Sequence, residues 1–257
     1  MKHNISLAFS FAKRDFKERY VGTGLGKLWY ILSPLIMILI YTVIFSDFMK
    51  MKLDVLDSAY SYSIYLISGL LAWTSFSTLI LRLSTTIEEK ANLIKKINVP
   101  VYVFGLSIMI TELFLFFISI SLSIVFLLIV SHPVTITFLW LVPIMILQTI
   151  FAFTLGMIFA LFTPFFRDLK EIVPIVLQLW FWMTPIIYLA SMIENKYPAL
   201  LTYNPFYKFA NIYQNIFLYS KGPELSSVVF IIIMVFVLLI LSGYLYKKMI
   251  STIKDII

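Results

Sequence analysis

The sequence predicts an all-α membrane protein with six transmembrane helices, and three observations favour this fold class. Of the 257 residues, 61% are hydrophobic, compared with about 45–50% in an ordinary soluble domain. Only 13% are charged, which is too few to cover the surface of a soluble fold of this size. Six apolar stretches also reach the length of about 20 residues at which a helix crosses a bilayer with its backbone hydrogen bonds paired internally.

The six stretches divide the chain without repeats or flexible linkers, so a single domain is expected over residues 1–257. Residues 1–27 precede the first span, residues 28–246 contain the spans, and residues 247–257 form a tail. The predicted spans are Leu28–Phe48, Tyr60–Leu81, Val101–Val130, Phe138–Phe166, Ile172–Ser191 and Ser226–Tyr246.

The basic residues predict which ends of the spans face the cytoplasm. Fifteen of the 20 Lys and Arg residues lie in segments on one side: the N-terminus to Lys27, Arg82–Pro100, Arg167–Glu171 and the tail from Lys247. Five lie in the alternate segments, Asp47–Ala59, Ser131–Thr137 and Glu194–Glu224. Because loops rich in Lys and Arg stay on the cytoplasmic side, both termini are expected in the cytoplasm.

Composition also excludes several classes of function. A formal net charge of +7 would suggest nucleic-acid binding in a soluble protein, but in a membrane protein it marks the cytoplasmic loops, so no nucleic-acid partner is expected. The chain has no Cys, and His3 and His132 are too far apart for a His cluster, so no bound metal is expected. The charged N-terminus lacks the pattern of a removable signal peptide.

The segment before the first span has the pattern of an amphipathic helix. Apolar residues recur every three or four positions, and basic residues fall mostly on the opposite face; the apolar set is Ile5, Phe9, Ala12, Phe16 and Tyr20. Such a helix is expected to lie in the headgroup layer on the cytoplasmic side. It serves either as a plain membrane anchor or in recognition of a lipid-linked substrate.

The glycine-rich run Gly22–Lys27 has only part of the pattern of a phosphate-binding loop. Such a loop needs Gly five residues before the Gly-Lys pair and Ser or Thr directly after it, but those positions hold Val21 and Leu28. The chain is therefore not expected to bind or hydrolyse ATP itself. The glycines are instead expected to bend the chain into the first span.

The polar segment Ser84–Lys96 is predicted to form a short cytoplasmic helix, because Thr85 followed by Glu88 is a capping-box pattern. The pattern leaves two interpretations open: a coupling helix that contacts another subunit, or a solvated loop helix. The narrow turn between spans four and five predicts a helical hairpin. Its Arg167 and Asp168 either fix that hairpin or contact a cytoplasmic subunit.

Glu112 lies about eleven residues into span three, which is close to the middle of the bilayer at about 1.5 Å per residue. An acid at that depth is costly and is therefore a functional candidate, for instance as a proton carrier. No other predicted span offers a basic partner, so Glu112 is expected to be protonated or hydrogen-bonded between helices.

The segment Glu194–Glu224, between spans five and six, is aromatic but has a helical pattern too short to cross. Together with the break at Asn204-Pro205, this pattern predicts short re-entrant or surface-lying helices on the outer side. Its aromatic side chains belong either to the belt at the headgroup level or to a gate that slides along sugar faces.

Several motifs together resemble the integral-membrane subunits of type-2 ABC exporters, particularly the branch that exports O-antigen, capsule and teichoic acid polysaccharides. The resemblance covers nearly the whole chain and depends on the joint order of its fragments. These fragments are Arg14–Tyr20, Gly26–Trp29 with Pro34, Glu89–Lys96 before Pro100, Phe166–Asp168, Gln178, Phe181-Trp182, Thr184–Tyr188 and Tyr203–Pro205.

The resemblance implies a homodimeric permease in the cytoplasmic (inner) membrane, with a pore at the dimer interface and two separate subunits that bind ATP and Mg²⁺. The implied substrate is a lipid-linked polysaccharide. Residues implied to contact the ATPase are Glu88, Glu89, Asn92, Lys95, Arg167 and Asp168. Residues implied to form the substrate channel or gate are Trp180, Phe181, Trp182, Tyr188, Tyr203, Phe206, Tyr207 and Tyr213.

The sequence thus predicts a transport subunit, not an enzyme, for export of an O-antigen-like polymer. The alternatives are ABC export of capsule or teichoic acid polymers, drugs or lipids, and proton-coupled transport through Glu112. The proton-coupled class usually shows inverted repeats and further buried charges, which are not apparent here. A membrane-bound glycosyltransferase or acyltransferase would need acidic or His-acid groups that converge, and the acids here are scattered.

Overall fold

The computed structural model describes residues 2–50, 53, 59–97 and 99–256, and within this part of the chain it contains helices but no β-strand. The helices are α1 Lys2–Glu18, α2 Trp29–Thr42, α3 Ser61–Glu89, α4 Ala91–Lys96, α5 Tyr102–Ile129, α6 Leu141–Phe162, α7 Leu169–Trp182, α8 Ser191–Glu194, α9 Pro198–Tyr203, α10 Pro205–Tyr219 and α11 Leu225–Ile256. The all-α prediction is confirmed. Most of the predicted loop Asp47–Ala59 lies outside the described residues.

Five helical segments of the described chain are long and apolar enough to cross a membrane. They are Gly26–Phe48, Ser61–Glu89, Tyr102–Ile129, Ile136–Phe162 and Leu225–Ile256. These segments correspond to predicted spans one to four and six. The main differences are at the C-terminal ends of α3 and α11, which continue well beyond the expected Leu81 and Tyr246.

The predicted fifth span, Ile172–Ser191, is not a continuous helix. Helix α7 covers 14 residues and ends at Trp182, and residues 183–190 are not helical. At about 1.5 Å per residue, α7 is only about 21 Å long. Pro185 accounts for the break, because proline lacks the backbone N–H and disfavours helical geometry in the residue before it.

Helix α3 lies at the centre of the bundle, where it contacts α5, α6, α7 and α10. Most of its residues are buried around the whole circumference, as a helix surrounded by other helices requires. Helices α2 and α11 instead bury few of their residues and expose many apolar side chains. Those two helices therefore present surfaces suited to lipid or to a protein partner.

Helices α3 and α6 approach each other closely at Gly156. A Cβ added to Gly156 would lie 2.7 Å from the Leu83 Cβ and 3.3 Å from the Ile80 Cα. Gly105 in α5 is similarly close to α6, where an added Cβ would lie 2.6 Å from the Met157 Sδ. Small residues at these contacts allow the backbones to approach, as is common between membrane helices.

One end of the bundle, called the basic end, is held by an apolar cluster where α3, α4, α5, α6 and α11 meet. Its buried residues are Ile87, Ile94, Val101, Phe104, Ala160, Leu161 and Ile253. Residues 247–256, predicted as a tail, continue α11 as helix and supply the fully buried Ile253. At the opposite end, His132 Nε2 lies 2.8 Å from the Phe217 carbonyl oxygen.

Candidate functional site

Helix α1 is amphipathic as predicted, and the structure shows that it packs along α5. Ala8 and Ala12 are buried, and the Phe11 ring stacks on Phe104 with a centroid distance of 5.3 Å. Two members of the predicted apolar set, Ile5 and Phe9, remain exposed. Helix α1 therefore has a protein-facing strip of small residues next to an exposed apolar strip, and its position in the headgroup layer stays a prediction.

The chain bends between α1 and α2 at two glycines, as the sequence predicts. Gly22 has a φ of 86° and Gly26 a φ of 52°, a left-handed backbone that side chains with a Cβ rarely adopt. The bend brings Tyr30 back onto α1, where its ring stacks on Phe16 at a centroid distance of 4.0 Å and its hydroxyl donates to the Phe16 carbonyl oxygen. The segment after α1 is thereby turned back toward the bundle.

Four charged side chains near the end of α1 form one ion-pair cluster. Glu112 Oε1 in α5 accepts hydrogen bonds from Arg19 Nη1 and Arg82 Nη1, each at 2.7 Å. Asp15 Oδ1 in α1 accepts from Arg82 Nη2 at 2.6 Å. The Glu112 side chain is only 5% exposed. Two positive and two negative groups therefore neutralise one another where α1, α3 and α5 meet.

The expectation that Glu112 lacks a basic partner is wrong. Predicted span two ended at Leu81, but α3 continues to Glu89, so Arg82 is part of the same helix and reaches Glu112. Arg19 reaches it from outside the predicted spans. An acid paired with two arginines is a charge-assisted structural contact rather than an isolated proton carrier. A basic residue directly after a predicted span was the sequence signal that could have identified this partner.

The ion-pair cluster lies between two cavities. One has a volume of about 180 Å³; it is lined by Arg19, Glu112, the residues Ser33, Thr74, Ser75, Thr78 and Ser119, and a set of apolar and aromatic residues. The other has a volume of about 530 Å³ and separates α1 from α3 beyond the cluster. Its walls include Phe11, Asp15 and Glu18 on α1, and Leu81, Arg82 and Thr85 on α3. The cluster is therefore a polar bridge at the edge of a gap.

The predicted start of the coupling helix at Thr85 is wrong. Helix α3 continues through the capping-box pattern, and Thr85 Oγ1 donates to Glu89 Oε1 at 2.7 Å inside the same helix. The following helix, α4, has six residues and begins at Ala91. Because neither Gly nor Pro occurs between Leu81 and Glu89, nothing in the sequence interrupts α3 before that point.

The side chains of α4 divide into an inner and an outer set. Ile94 is 7% exposed and belongs to the apolar cluster of the basic end. Glu89, Asn92 and Lys95 are exposed, and Glu88 is half-buried. Helix α4 is thus anchored by one apolar side chain and presents Asn92 and Lys95 outward, next to Glu89 at the end of α3. Both a coupling helix and a solvated loop helix would have this arrangement.

The turn between α6 and α7 is also at the basic end, because Ala160 and Leu161 of α6 belong to its apolar cluster. Arg167 and Asp168 are exposed in this turn, and in the described part of the chain no ion pair involves either of them. A mutual ion pair that fixes the hairpin is therefore not seen. Both side chains are available to a partner.

The aromatic residues predicted for the channel or gate occupy two kinds of position. Phe206 and Tyr213 are fully buried within the chain, and Phe206 contacts the Trp73 ring at a centroid distance of 4.8 Å. Trp182 and Tyr203 are 57% and 75% exposed. The intermediate group comprises Trp180, Phe181, Tyr188 and Tyr207, which are partly buried. Among these eight residues, only the exposed and partly buried rings are accessible from outside the chain.

Helix α10 begins at the Asn204-Pro205 break, as predicted. The Asn204 side chain caps the helix by accepting from the backbone N–H groups of Phe206 and Tyr207. Its Oδ1 also accepts from Trp180 Nε1 at 2.8 Å, which connects α10 to α7. The start of α10 therefore lies inside the bundle rather than at its surface, in contrast to α8 and α9, which have no buried residues.

The break after α7 is held by side chains from α3 and α10. The Tyr65 hydroxyl lies 3.2 Å from the Pro185 carbonyl oxygen and 3.1 Å from that of Tyr188. Gln214 Nε2 donates to the same Pro185 oxygen at 3.2 Å, and the Tyr62 hydroxyl donates to the Ile187 carbonyl oxygen. Buried non-helical backbone needs hydrogen-bond partners, and these side chains supply them.

Replacing Tyr65 with Phe is expected to loosen this break. The change removes the hydroxyl that contacts both carbonyl oxygens. The Pro185 oxygen keeps its hydrogen bond from Gln214 Nε2, whereas the Tyr188 oxygen loses its contact with Tyr65, and an unsatisfied buried polar group costs about 1–3 kcal/mol. The thermal midpoint of the detergent-purified protein should fall relative to wild type. Tyr244→Phe, which removes a hydroxyl from an exposed position on α11, is the matched control. Equal midpoints for the two variants would contradict the assignment.

Comparison with known proteins identifies the family of this chain. Residues 7–218 match the ABC-2 type transporter family. The chain belongs to this family. The match extends from α1 to α10, so the ion-pair cluster, α4 and the break after α7 all belong to the shared ABC-2 region, and the chain is a multi-pass membrane transport subunit.

Two similar proteins are both named "O-antigen export system permease protein RfbA". The protein from Myxococcus xanthus is 28% identical over 220 residues, which cover 85% of this ABC-2 chain and 82% of the relative. The protein from Klebsiella pneumoniae is 30% identical over 210 residues, which cover 80% and 79%. The similarity therefore includes most of both proteins rather than one shared segment.

Proposed function

We propose that this ABC-2 chain is the permease subunit of an ATP-driven exporter that moves a lipid-linked, O-antigen-like polysaccharide across the cytoplasmic membrane. The observation that carries the proposal is the family match together with extensive similarity to two permeases named for O-antigen export. In this proposal two copies of the chain associate with two ATP-binding subunits. ATP and Mg²⁺ are bound by those subunits and not by this chain.

The proposed topology has six crossings, with α7 and the segment up to Ser191 forming the fifth. Helix α10 is re-entrant in this arrangement, which its burial and its internal start at Asn204 support. Both termini and α4 face the cytoplasm. Support comes from the meeting of α4 and the end of α11 at the basic end and from the Lys and Arg residues concentrated in the same segments.

The proposed contact with the ATP-binding subunit is made by α4 and by the turn that follows α6. The exposed groups are Glu89, Asn92, Lys95, Arg167 and Asp168, with Glu88 at the margin. Anchoring through Ile94 supports this role, because a helix fixed by a buried side chain transmits displacement to the elements it is packed against. Motion of α4 would then reach α3, α5, α6 and α11 through one apolar cluster.

The proposed pore lies between two copies of the chain and is lined by aromatic side chains around the end of α7. Trp182 and Tyr203 supply exposed rings, Trp180, Phe181, Tyr188 and Tyr207 supply partly buried ones, and Phe206 and Tyr213 support them from inside. Aromatic faces suit a moving polymer, since large rigid rings offer contact area with few rotatable bonds. One sugar unit can replace the next against an aromatic ring, because the contact does not require hydrogen bonds specific to each unit.

A reconstituted complex tests the proposal. The purified chain alone is expected to show no ATP hydrolysis, and the complex with its ATP-binding subunit is expected to export lipid-linked polysaccharide in inside-out vesicles only when ATP is supplied. A complex with a hydrolysis-deficient ATP-binding subunit is the control. Nucleotide turnover by this chain alone, or export driven by a pH gradient without ATP, would refute the assignment.

A further inference from the structure

The ion-pair cluster connects two elements that are otherwise separated. Helix α1 packs mainly on α5, and the cavity of about 530 Å³ lies between α1 and α3. Across that gap, the hydrogen bond from Arg82 Nη2 to Asp15 Oδ1 joins the two helices. Asp15 Oδ2 is buried without a hydrogen-bond partner, so within the described chain the Asp15 side chain is hydrogen-bonded through this one oxygen.

Glu112 fixes the direction in which Arg82 points. Glu112 Oε1 accepts a hydrogen bond from Arg82 Nη1 at 2.7 Å, and Arg82 Nη2 donates to Asp15 Oδ1. The planar guanidinium is therefore held by two carboxylates. Arg19 approaches the same Oε1 and brings the segment after α1 to the same point. An arginine that donates to two different carboxylates in a mostly buried setting has one preferred geometry, which a hydrophobic contact across the gap would lack.

The helix that carries Arg82 ends directly before the proposed coupling helix α4. Helix α3 runs from Ser61 to Glu89 without Pro, and α4 begins two residues later at Ala91. Arg82 lies seven residues before Glu89, a distance of about 10 Å along the helix axis. A displacement of α4 therefore reaches Arg82 through the Lys90 junction and the last two turns of α3.

We propose that Glu112 is a positioning residue that makes α1 move together with α3 and α4 during the transport cycle. Through Arg82 it fixes the bridge to Asp15, and through Arg19 it fixes the segment after α1. The apolar contacts of α1 with α5 and α2 hold the helix in place but do not cross the gap to α3. Loss of Glu112 or Asp15 frees α1 to shift toward the cavity while α3 and α4 move without it. This inference depends on the proposed coupling role of α4.

Distances between spin labels at Lys13 on α1 and Lys90 at the α3–α4 junction test the proposal directly. The chain has no Cys, so two introduced cysteines are the labelling sites in this subunit. In a wild-type complex whose labelled chain is diluted with excess unlabelled chain, so that distances between copies are suppressed, we expect one narrow distance distribution that is the same without nucleotide and with ATP trapped. Glu112→Gln and Asp15→Asn are expected to broaden it, and Glu112→Asp should restore part of the narrow component.

Glu18→Gln is the matched control, because it removes one carboxylate from the same helix in an exposed pair with Arg14 at 2.7 Å. Asp15→Asn keeps the Glu112–Arg82 pair inside the bundle and therefore tests the bridge even if Glu112→Gln fails to fold. In the same variants, the amount of polymer exported per ATP hydrolysed should fall at least about fivefold, the low end of typical coupling between sites.

Two results would overturn the inference. One is a Lys13–Lys90 distribution in Asp15→Asn that equals that of Glu18→Gln, and the other is a wild-type distance that changes when ATP is trapped. The nucleotide-free distances do not depend on transport. A wild-type complex that exports no polymer therefore refutes the proposed function, while broadened distances in the Asp15→Asn and Glu112→Gln variants still establish the bridge.

Discussion

Replacing Ile94 with Asp is expected to abolish ATP-driven export by this ABC-2 permease while leaving its transmembrane bundle assembled. Ile94 is 7% exposed within the apolar cluster that holds α4. A carboxylate in that position has no basic partner among the buried residues of the cluster, and an uncompensated buried charge costs several kcal/mol. A cost of about 3 kcal/mol lowers the ratio of anchored to released α4 about 150-fold. Export is therefore expected to fall strongly.

The bundle should survive this change because α4 has only six residues and the larger apolar cluster around α3 does not include Ile94. Ile94→Val is the control, since removal of one methylene typically costs about 0.5–1.5 kcal/mol and keeps the site apolar. Export in vesicles and the thermal midpoint of the purified complex should be measured on both variants. If the Ile94→Asp variant exports polymer at the wild-type rate, the anchoring of α4 by Ile94 has no part in transport.

Replacing Gly156 with Val is expected to have the largest effect on folding. The new Cβ would lie 2.7 Å from the Leu83 Cβ and 3.3 Å from the Ile80 Cα. These atoms belong to or adjoin the α3 backbone, so no flexible side chain can move away. Helices α3 and α6 would have to separate along the centre of the bundle, and overpacking of a core costs about 1–3 kcal/mol or more. The thermal midpoint should fall well below that of wild type, or no folded protein should be recovered.

Gly243→Val makes the same substitution in a membrane helix without the clash. Gly243 lies in α11, and a Cβ added there would meet no atom within 4 Å. The two variants therefore separate the effect of close packing from the effect of adding a valine to an apolar helix. Equal thermal midpoints for Gly156→Val and Gly243→Val would contradict the proposed role of the α3–α6 contact.

Sequence reasoning succeeded where the determining interactions are local or compositional. Five of the six predicted spans correspond to helices of sufficient length, because a long apolar run has few other stable forms in lipid. The start of α10 was predicted at Asn204-Pro205, where a side-chain cap and a proline act within three residues. The bend at Gly22 and Gly26 was likewise a local property of the chain.

Sequence reasoning failed where the partners are distant along the chain. Pro185 is a local signal for the break after α7, but Tyr65, whose hydroxyl contacts the broken segment, is 120 residues away from Pro185. Glu112 depends on Arg82 and Arg19, which are 30 and 93 residues away. The capping-box pattern at Thr85 was misleading for a different reason, because hydroxyl and carboxylate groups also bond one turn apart inside a continuing helix. Single-sequence patterns report spacing but not which helices become neighbours.

The burial of Ile253 in the same apolar cluster as Ile94 has a consequence for biogenesis. Ile253 leaves the ribosome 159 residues after Ile94. At typical synthesis rates of about 5–20 residues per second, this interval lasts roughly 8–30 s. During that time the apolar cluster that holds α4 lacks Ile253. A nascent chain that stops before Ile253 would lack one side of the apolar cluster that holds α4.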